Sequence, residues 1–209
     1  MRRIVRVSVL FLVVGIFAVS CSAAKPEKTI ENLKEAITGE SNASATYKAF
    51  SEKAAEDGLL NISKMFAAAS EAEAIHVKNH NAVLVKLGEQ AFTANLDMPT
   101  VSNCMIENIE AAIEGETYEF TVMYPGFLTV ANDEKAKDAI TSFTWANDAE
   151  KTHANLYTKA LNILKATGSD ETVSSTWYAC PKCGDLFDTI QNVNSCPLCA
   201  TSPASFLKF

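Results

Sequence analysis

The sequence predicts an all-α four-helix bundle with one longer crossover, followed by a small C-terminal β module assembled around a metal. Three observations carry that expectation. Between about Pro26 and Gly168, apolar residues recur at three–four spacing with few helix breakers. Gly58, Gly88 and Gly168, with a longer connection from Glu89 to Pro99, divide this span into four segments. Beyond Thr176, aromatic residues, Pro and Cys take over. Of the 209 residues, 48% are hydrophobic and 21% charged, which suits one packed domain and a small second one and excludes wholesale disorder. A net charge of −7 argues against a nucleic-acid partner, which needs a basic face.

Residues 1–24 read as an export signal. Arg2, Arg3 and Arg6 precede an uncharged run from Val7 to Val19, too short for a comfortable membrane span. Ala18-Val19-Ser20-Cys21 resembles the lipobox of bacterial lipoproteins, with Cys21 as the lipidated residue. Cleavage after Ala24 and retention as an anchor are the alternatives. The expected location is exported, periplasmic or lipoprotein-anchored, with membrane contact only through that lipid. Removing the signal leaves 15 basic against 25 acidic residues.

The bundle is expected over residues 25–170. Segment one follows Ile30, Leu33, Ile37, Glu40, Ser44 and Tyr47 and stops near Asp57-Gly58. Segment two follows Ile62, Phe66, Ala69, Glu73, His76, His80, Val83 and Leu87. Segment three starts at Thr100 or Ser102 and follows Ile109, Ala112, Glu116, Glu119, Met123 and Phe127. Segment four starts at Asn132 or Asp133 and follows Phe143, Ala146, Glu150, His153, Tyr157, Ala160 and Leu164. The Ser, Thr and Asp residues at these starts are the expected N-caps.

Each apolar stripe is interrupted by carboxylate. Clustering ionised acids in a core is prohibitive unless cations neutralise them. Glu40, Glu73, Glu116, Glu119 and Glu150 carry five negative charges, nearly balanced by two ferrous ions, or by two ferric ions with an oxo bridge. Glu73-x-x-His76 and Glu150-x-x-His153 place carboxylate and imidazole on one helical face. A di-iron carboxylate site takes one Glu from each of two helices and a Glu-x-x-His from each of the other two. Lone Glu-x-x-His pairs on solvated helices are common, yet two of three histidines would be so preceded only about 2% of the time by chance.

His80 completes a zinc-protease-like spacing with His76, but Val77 replaces the catalytic Glu, so His80 reads as a core histidine beside the site. Tyr47 and Tyr124 lie on or beside the stripes, where a hydroxyl would hydrogen-bond buried carboxylate. Cys104 is expected to be a small buried side chain. In the tail, residues 173–209, Cys180-x-x-Cys183 and Cys196-x-x-Cys199 stand twelve residues apart, the pattern of a tetrahedral four-thiolate site. Zinc and iron are both open, and two disulfides are the rival. About 37 residues build little core, so a metal would hold this module together.

Taken in order, Thr38-Gly39-Glu40-Ser41, Glu73-x-x-His76, Gly115-Glu116-x-x-Glu119, Met123-Tyr124-Pro125, Glu150-x-x-His153 and the two Cys knuckles resemble the rubrerythrin family, from about Lys28 to Phe209. The resemblance implies a ferritin-like bundle with two non-haem irons and a rubredoxin-like, zinc-ribbon-type module with one iron, zinc being possible there. It implies a peroxidase that reduces hydrogen peroxide to water for oxidative-stress protection. Electrons would pass from the four-Cys iron to the di-iron centre, typically across a homodimer. Glu40, Glu73, His76, Glu116, Glu119, Glu150 and His153 match the family's di-iron ligands, and Cys180, Cys183, Cys196 and Cys199 those of the single iron. The counterparts of Glu119 and His76 exchange as ligands with redox state, while Tyr47 and Tyr124 match tyrosines beside the site. Most relatives are cytoplasmic and draw on reduced pyridine nucleotides, so an exported chain needs another, unidentified electron donor. A ferroxidase or iron-storage role, and a non-enzymatic bundle with a structural zinc ribbon, are the other classes.

Overall fold

The computed structural model describes residues 25–209; residues 1–24, with the expected export signal and Cys21, lie outside the described residues. Helix α1 (Glu27–Glu56) pairs with α2 (Leu60–Lys86) across the turn at Gly58. A crossover without helix or strand reaches α3 (Met105–Tyr118), which runs through a π-turn (Glu119–Met123) into α4 (Tyr124–Asp133). That rod packs along α5 (Lys137–Thr167), which completes the bundle. Gly58, Gly88 and Gly168 end their helices at φ of 78°, 85° and 68°, a left-handed turn that costs glycine least.

Two expected starts are displaced. The third helix begins at Met105, not Thr100 or Ser102, and Ser102 instead accepts from the Cys104 N–H. Cys104 is therefore exposed at a loop end rather than buried. Asn132 and Asp133 close α4, and the fourth segment starts at Lys137. No side-chain N-cap forms at the starts of α3 or α5, whereas α1 and α2 are capped by acids from elsewhere. Glu134 accepts from the Lys28 and Thr29 N–H groups, and Asp170 from those of Asn61 and Ile62.

The π-turn sets the register of the third rod. The Tyr124 N–H bonds the Glu119 carbonyl five residues back, so the turn absorbs about one residue. Tyr124, eight residues after Glu116, consequently falls close to the Glu116 face, as a residue about two turns along would. Pro125 follows immediately, where its missing N–H disturbs the helix least.

The core forms two clusters at different levels of the bundle. One gathers Tyr47, Phe50, Phe66, Tyr157 and Trp177; the other gathers Leu33, Ile37, Leu84, Tyr124, Phe127 and Phe143. The C-terminal module is a three-stranded antiparallel sheet of two-residue strands, with β1 (Tyr178–Ala179) between β2 (Leu186–Phe187) and β3 (Leu207–Lys208). The segment leading to it folds back onto α2, held by Asp170 and by Lys64 donating to the Ser175 carbonyl.

Candidate metal centres

Six side chains converge from four helices: Glu40 of α1, Glu73 and His76 of α2, Glu116 of α3, and Glu150 and His153 of α5. None is more than 1% exposed. Their ligand atoms form two groups, each within 4.8 Å: Glu40, Glu73, His76 and Glu150, and Glu73, Glu116, Glu150 and His153. Glu73 and Glu150 belong to both, the arrangement of two carboxylates shared between two ions. The i,i+3 spacing works as the sequence suggested. His76 Nδ1 stands 2.9 Å from both Glu73 Oε2 and Glu150 Oε1, and His153 Nδ1 stands 2.7 Å from Glu150 Oε2.

The histidine tautomers point the same way. His76 Nε2 lies 3.0 Å from the Cys183 carbonyl and His153 Nε2 3.1 Å from the Gly184 carbonyl. A carbonyl only accepts, so each Nε2 carries the hydrogen, and a neutral ring then aims its Nδ1 lone pair at carboxylate. Both Nδ1 atoms, both oxygens of Glu73 and Glu150, and one oxygen each of Glu40 and Glu116 are buried without a hydrogen-bond partner. Lone pairs and carboxylates facing one another in a dry core are what a pair of cations would satisfy, so the residues fit a di-iron group.

The electrostatics of the bare cluster show the same strain. Burial, with Glu150 and Glu73 adding to it, pushes Glu40 up to about 8. Burial and then Glu73 and Glu150 hold Glu116 well above the usual carboxylate range. For His76 and His153 burial opposes charge, but surrounding carboxylates outweigh it and raise both well above the ordinary imidazole value. Glu150 shifts the other way: burial alone would raise it, and the two histidines pull it far down.

Glu119 is not drawn into either group. It begins the π-turn, is half-buried, and lines a cleft of about 370 Å³ with Tyr47, Gly115 and the crossover residues Asp97–Thr100. The structure thus has His76 in the cluster and Glu119 at its edge. Tyr47 donates to Glu116 Oε1 at 2.8 Å, and Tyr124 donates to Glu40 Oε1.

The four cysteines come together as well, all free, with their sulphurs within 4.8 Å. Cys180–Cys199 and Cys183–Cys196 are each 3.4 Å apart, beyond a disulfide at about 2.05 Å and near the spacing around one tetrahedral metal. The knuckles match. Gly184 N–H bonds the Cys180 carbonyl and Ala200 N–H that of Cys196, with φ of 80° and 60°. The first knuckle differs because it touches the bundle. A Cβ on Gly184 would overlap His76 Nε2 and stand 2.7 Å from its Cδ2.

A family model described as Rubrerythrin matches residues 31–161. The chain belongs to the rubrerythrin family. Nigerythrin of Nitratidesulfovibrio vulgaris is 33% identical over 181 residues, covering 87% of this chain and 86% of the relative. Rubrerythrin-2 of Clostridium acetobutylicum is 34% identical, covering 90% of this chain and all of the relative. A solved structure of nigerythrin in its fully reduced, all-ferrous state matches with a TM-score of 0.78 at 30% identity, covering 93% and 91% of the two chains. Rubrerythrin homologues are di-iron oxidoreductases with a rubredoxin-like module. The carboxylate–histidine cluster and the four cysteines here are consistent with the family's two iron centres.

Within this rubrerythrin fold, some neighbours of the site escaped sequence reasoning. The Tyr157 hydroxyl is buried without a hydrogen-bond partner one turn beyond His153, where spacing alone marked it as core. Gly184 read only as a knuckle residue. The Cys183 and Gly184 carbonyls meet the site histidines within the one chain described.

Proposed function

We infer that this chain is a peroxidase that reduces hydrogen peroxide to water. In this reading Glu40, Glu73, His76, Glu116, Glu150 and His153 hold two irons, and Cys180, Cys183, Cys196 and Cys199 hold a third. When bound, the iron pair would supply two electrons and a place for peroxide to bind. The observation that carries the reading is the seating of the Cys183-Gly184 knuckle on both site histidines. An electron-input module pressed against a carboxylate centre suits a reductase, whereas iron storage needs no such input.

The chain's own residues divide the work. Carbonyls of Cys183 and Gly184 fix the two imidazole tautomers and form a direct polar link between the centres. Tyr47 and Tyr124 hold Glu116 and Glu40 in orientation. Glu119, which lines the cleft, would move inward if His76 withdrew. The aromatic clusters on either side exclude bulk water. Export by the signal in residues 1–24 belongs to the same proposal, supported by that run of sequence, and it implies a donor outside the cytoplasm.

The test is stopped-flow mixing of the anaerobically reduced, iron-loaded chain with equimolar peroxide, following the four-Cys iron colour. Rapid return of colour, faster than with dissolved oxygen, is expected. Slow return with both centres full of iron would sink the reading and leave the ferroxidase role.

A further inference from the structure

Reducing peroxide to two waters consumes two protons, and one path toward the cluster runs through Ser142 and His80, which have no part in the reaction above, to Tyr124. His80 lies one turn beyond His76 on α2, fully buried, with both ring nitrogens engaged. Nδ1 is 2.8 Å from Ser142 Oγ and Nε2 is 3.1 Å from the Tyr124 hydroxyl oxygen. Because that hydroxyl donates to Glu40, its oxygen accepts from His80. Nε2 therefore carries the hydrogen, and Nδ1 accepts from Ser142. The donors run in a single direction: Ser142 to His80, His80 to Tyr124, Tyr124 to Glu40. At the outer end, Ser142 lines a surface hollow of about 190 Å³ between α2 and α5, bordered by Asn79, Lys86, Asp138 and Trp145.

The geometry points to a proton relay from this hollow through Ser142, His80 and Tyr124 to the Glu40 carboxylate. The relay rests on the peroxidase reading. In one transfer Tyr124 passes its proton to Glu40 and takes the Nε2 proton of His80. His80 Nδ1 takes the Ser142 proton, and water in the hollow restores it. Glu40 hands each proton on to a peroxide oxygen, and between transfers the His80 ring flips and the Ser142 and Tyr124 hydroxyls rotate to restore the starting order. Two transfers thus supply the two protons for each peroxide, whose O–O bond breaks and whose oxygens leave as two waters, with two electrons that the iron pair would supply. A histidine kept only for packing would not need both nitrogens in an ordered chain that starts at the surface and ends on a cluster carboxylate. Burial, with His76 adding to it, pushes His80 down to about 3, so its ring stays neutral and carries protons by tautomer shift. Tyr124 and Phe143 wall it from other polar groups, with the Phe143 ring centroid 5.3 Å away. The hollow lies between a different pair of helices from the cleft at Glu119, so substrate and protons arrive by separate doors.

Two variants of the full chain test the relay. His80→Gln keeps an amide able to bridge Ser142 and Tyr124 but unable to exchange tautomers, so a merely structural role survives it. Ser142→Ala removes the outer donor. In the zinc-loaded, diamagnetic chain, ¹⁵N NMR should show His80 protonated at Nε2. Exchange of that hydrogen with solvent should slow at least tenfold in Ser142→Ala. In the iron-loaded chain, each variant should keep its iron yet lower single-turnover oxidation by peroxide at least tenfold, with a larger solvent deuterium isotope effect. An Nδ1–H tautomer, unchanged exchange in Ser142→Ala, or His80→Gln at the parent rate and isotope effect each overturns the relay. A parent chain that ignores peroxide overturns the peroxidase reading instead, and the NMR arm still decides the relay.

Discussion

Helices α1, α2, α3 and α5 hold six ligand candidates between two apolar clusters, whereas the four cysteines sit on a module whose three strands are two residues long. In the bundle, packing places the ligands before any metal arrives, at the cost of crowding acids in a dry core. In the tail, the buried group consists of three of the cysteines themselves, with partners such as Trp145 and Phe206 only half-buried. There the metal places the scaffold. The contrast teaches that one chain can use metal as cargo of a finished fold and as a fastener of an unfinished one.

The largest effect should come from loosening the fastener. Cys183→Ser removes a ligand from a site whose metal is worth about 10 kcal/mol or more to such modules. Hydrogen exchange read by mass spectrometry should rise throughout residues 177–209 while helical circular dichroism persists. Equal protection of both regions would erase the distinction.

Next in size is the pH response of the metal-free bundle. Folded Glu40 titrates near 8 against an ordinary 4.5, so the folded state binds more protons between those values. Its stability contribution is full below about 4.5 and is lost as pH rises through about 8. Glu116, His76 and His153, all raised, act in the same sense, and Glu150 opposes them. At about 1.4 kcal/mol per unit, the metal-free chain should lose a few kcal/mol between pH 5 and 8, seen as a lower Tm. Metal loading should abolish that loss.

Gly184→Ala probes the joint between the regions. Ala200 occupies the equivalent φ in the second knuckle, so backbone strain alone does not forbid alanine. The overlap with His76 should loosen the docking by about 2–3 kcal/mol and slow transfer between the centres, leaving the four-Cys absorption unchanged. Glu119→Ala, at the cleft, should leave melting nearly unaltered yet slow peroxide turnover about tenfold, near 1.4 kcal/mol of barrier; unchanged turnover in the iron-loaded variant would remove Glu119 from the site. Smallest is Tyr47→Phe, which strips one hydrogen bond from Glu116 and should lower stability by about 1 kcal/mol in thermal melts.

The helices and the convergence of six of the seven expected bundle residues were legible because helical spacing and Glu-x-x-His are local patterns. What escaped was set by partners far along the chain. Asp170 caps α2 from 109 residues away and Glu134 caps α1 from 105, while Thr100, Ser102, Asn132 and Asp133 cap neither α3 nor α5. Glu119, one α-helical turn past Glu116 and at the start of the π-turn, stays half-buried beside the cleft. No local signal tied Gly184 to His76, since that pairing exists only once the tail folds back.

That fold-back has a bearing on maturation. The carbonyls that fix His76 and His153 belong to a knuckle that closes around its own metal. Maturation that leaves the tail without its metal would therefore also weaken the hold on both imidazole tautomers, so a defect at the thiolates would be felt at the carboxylates.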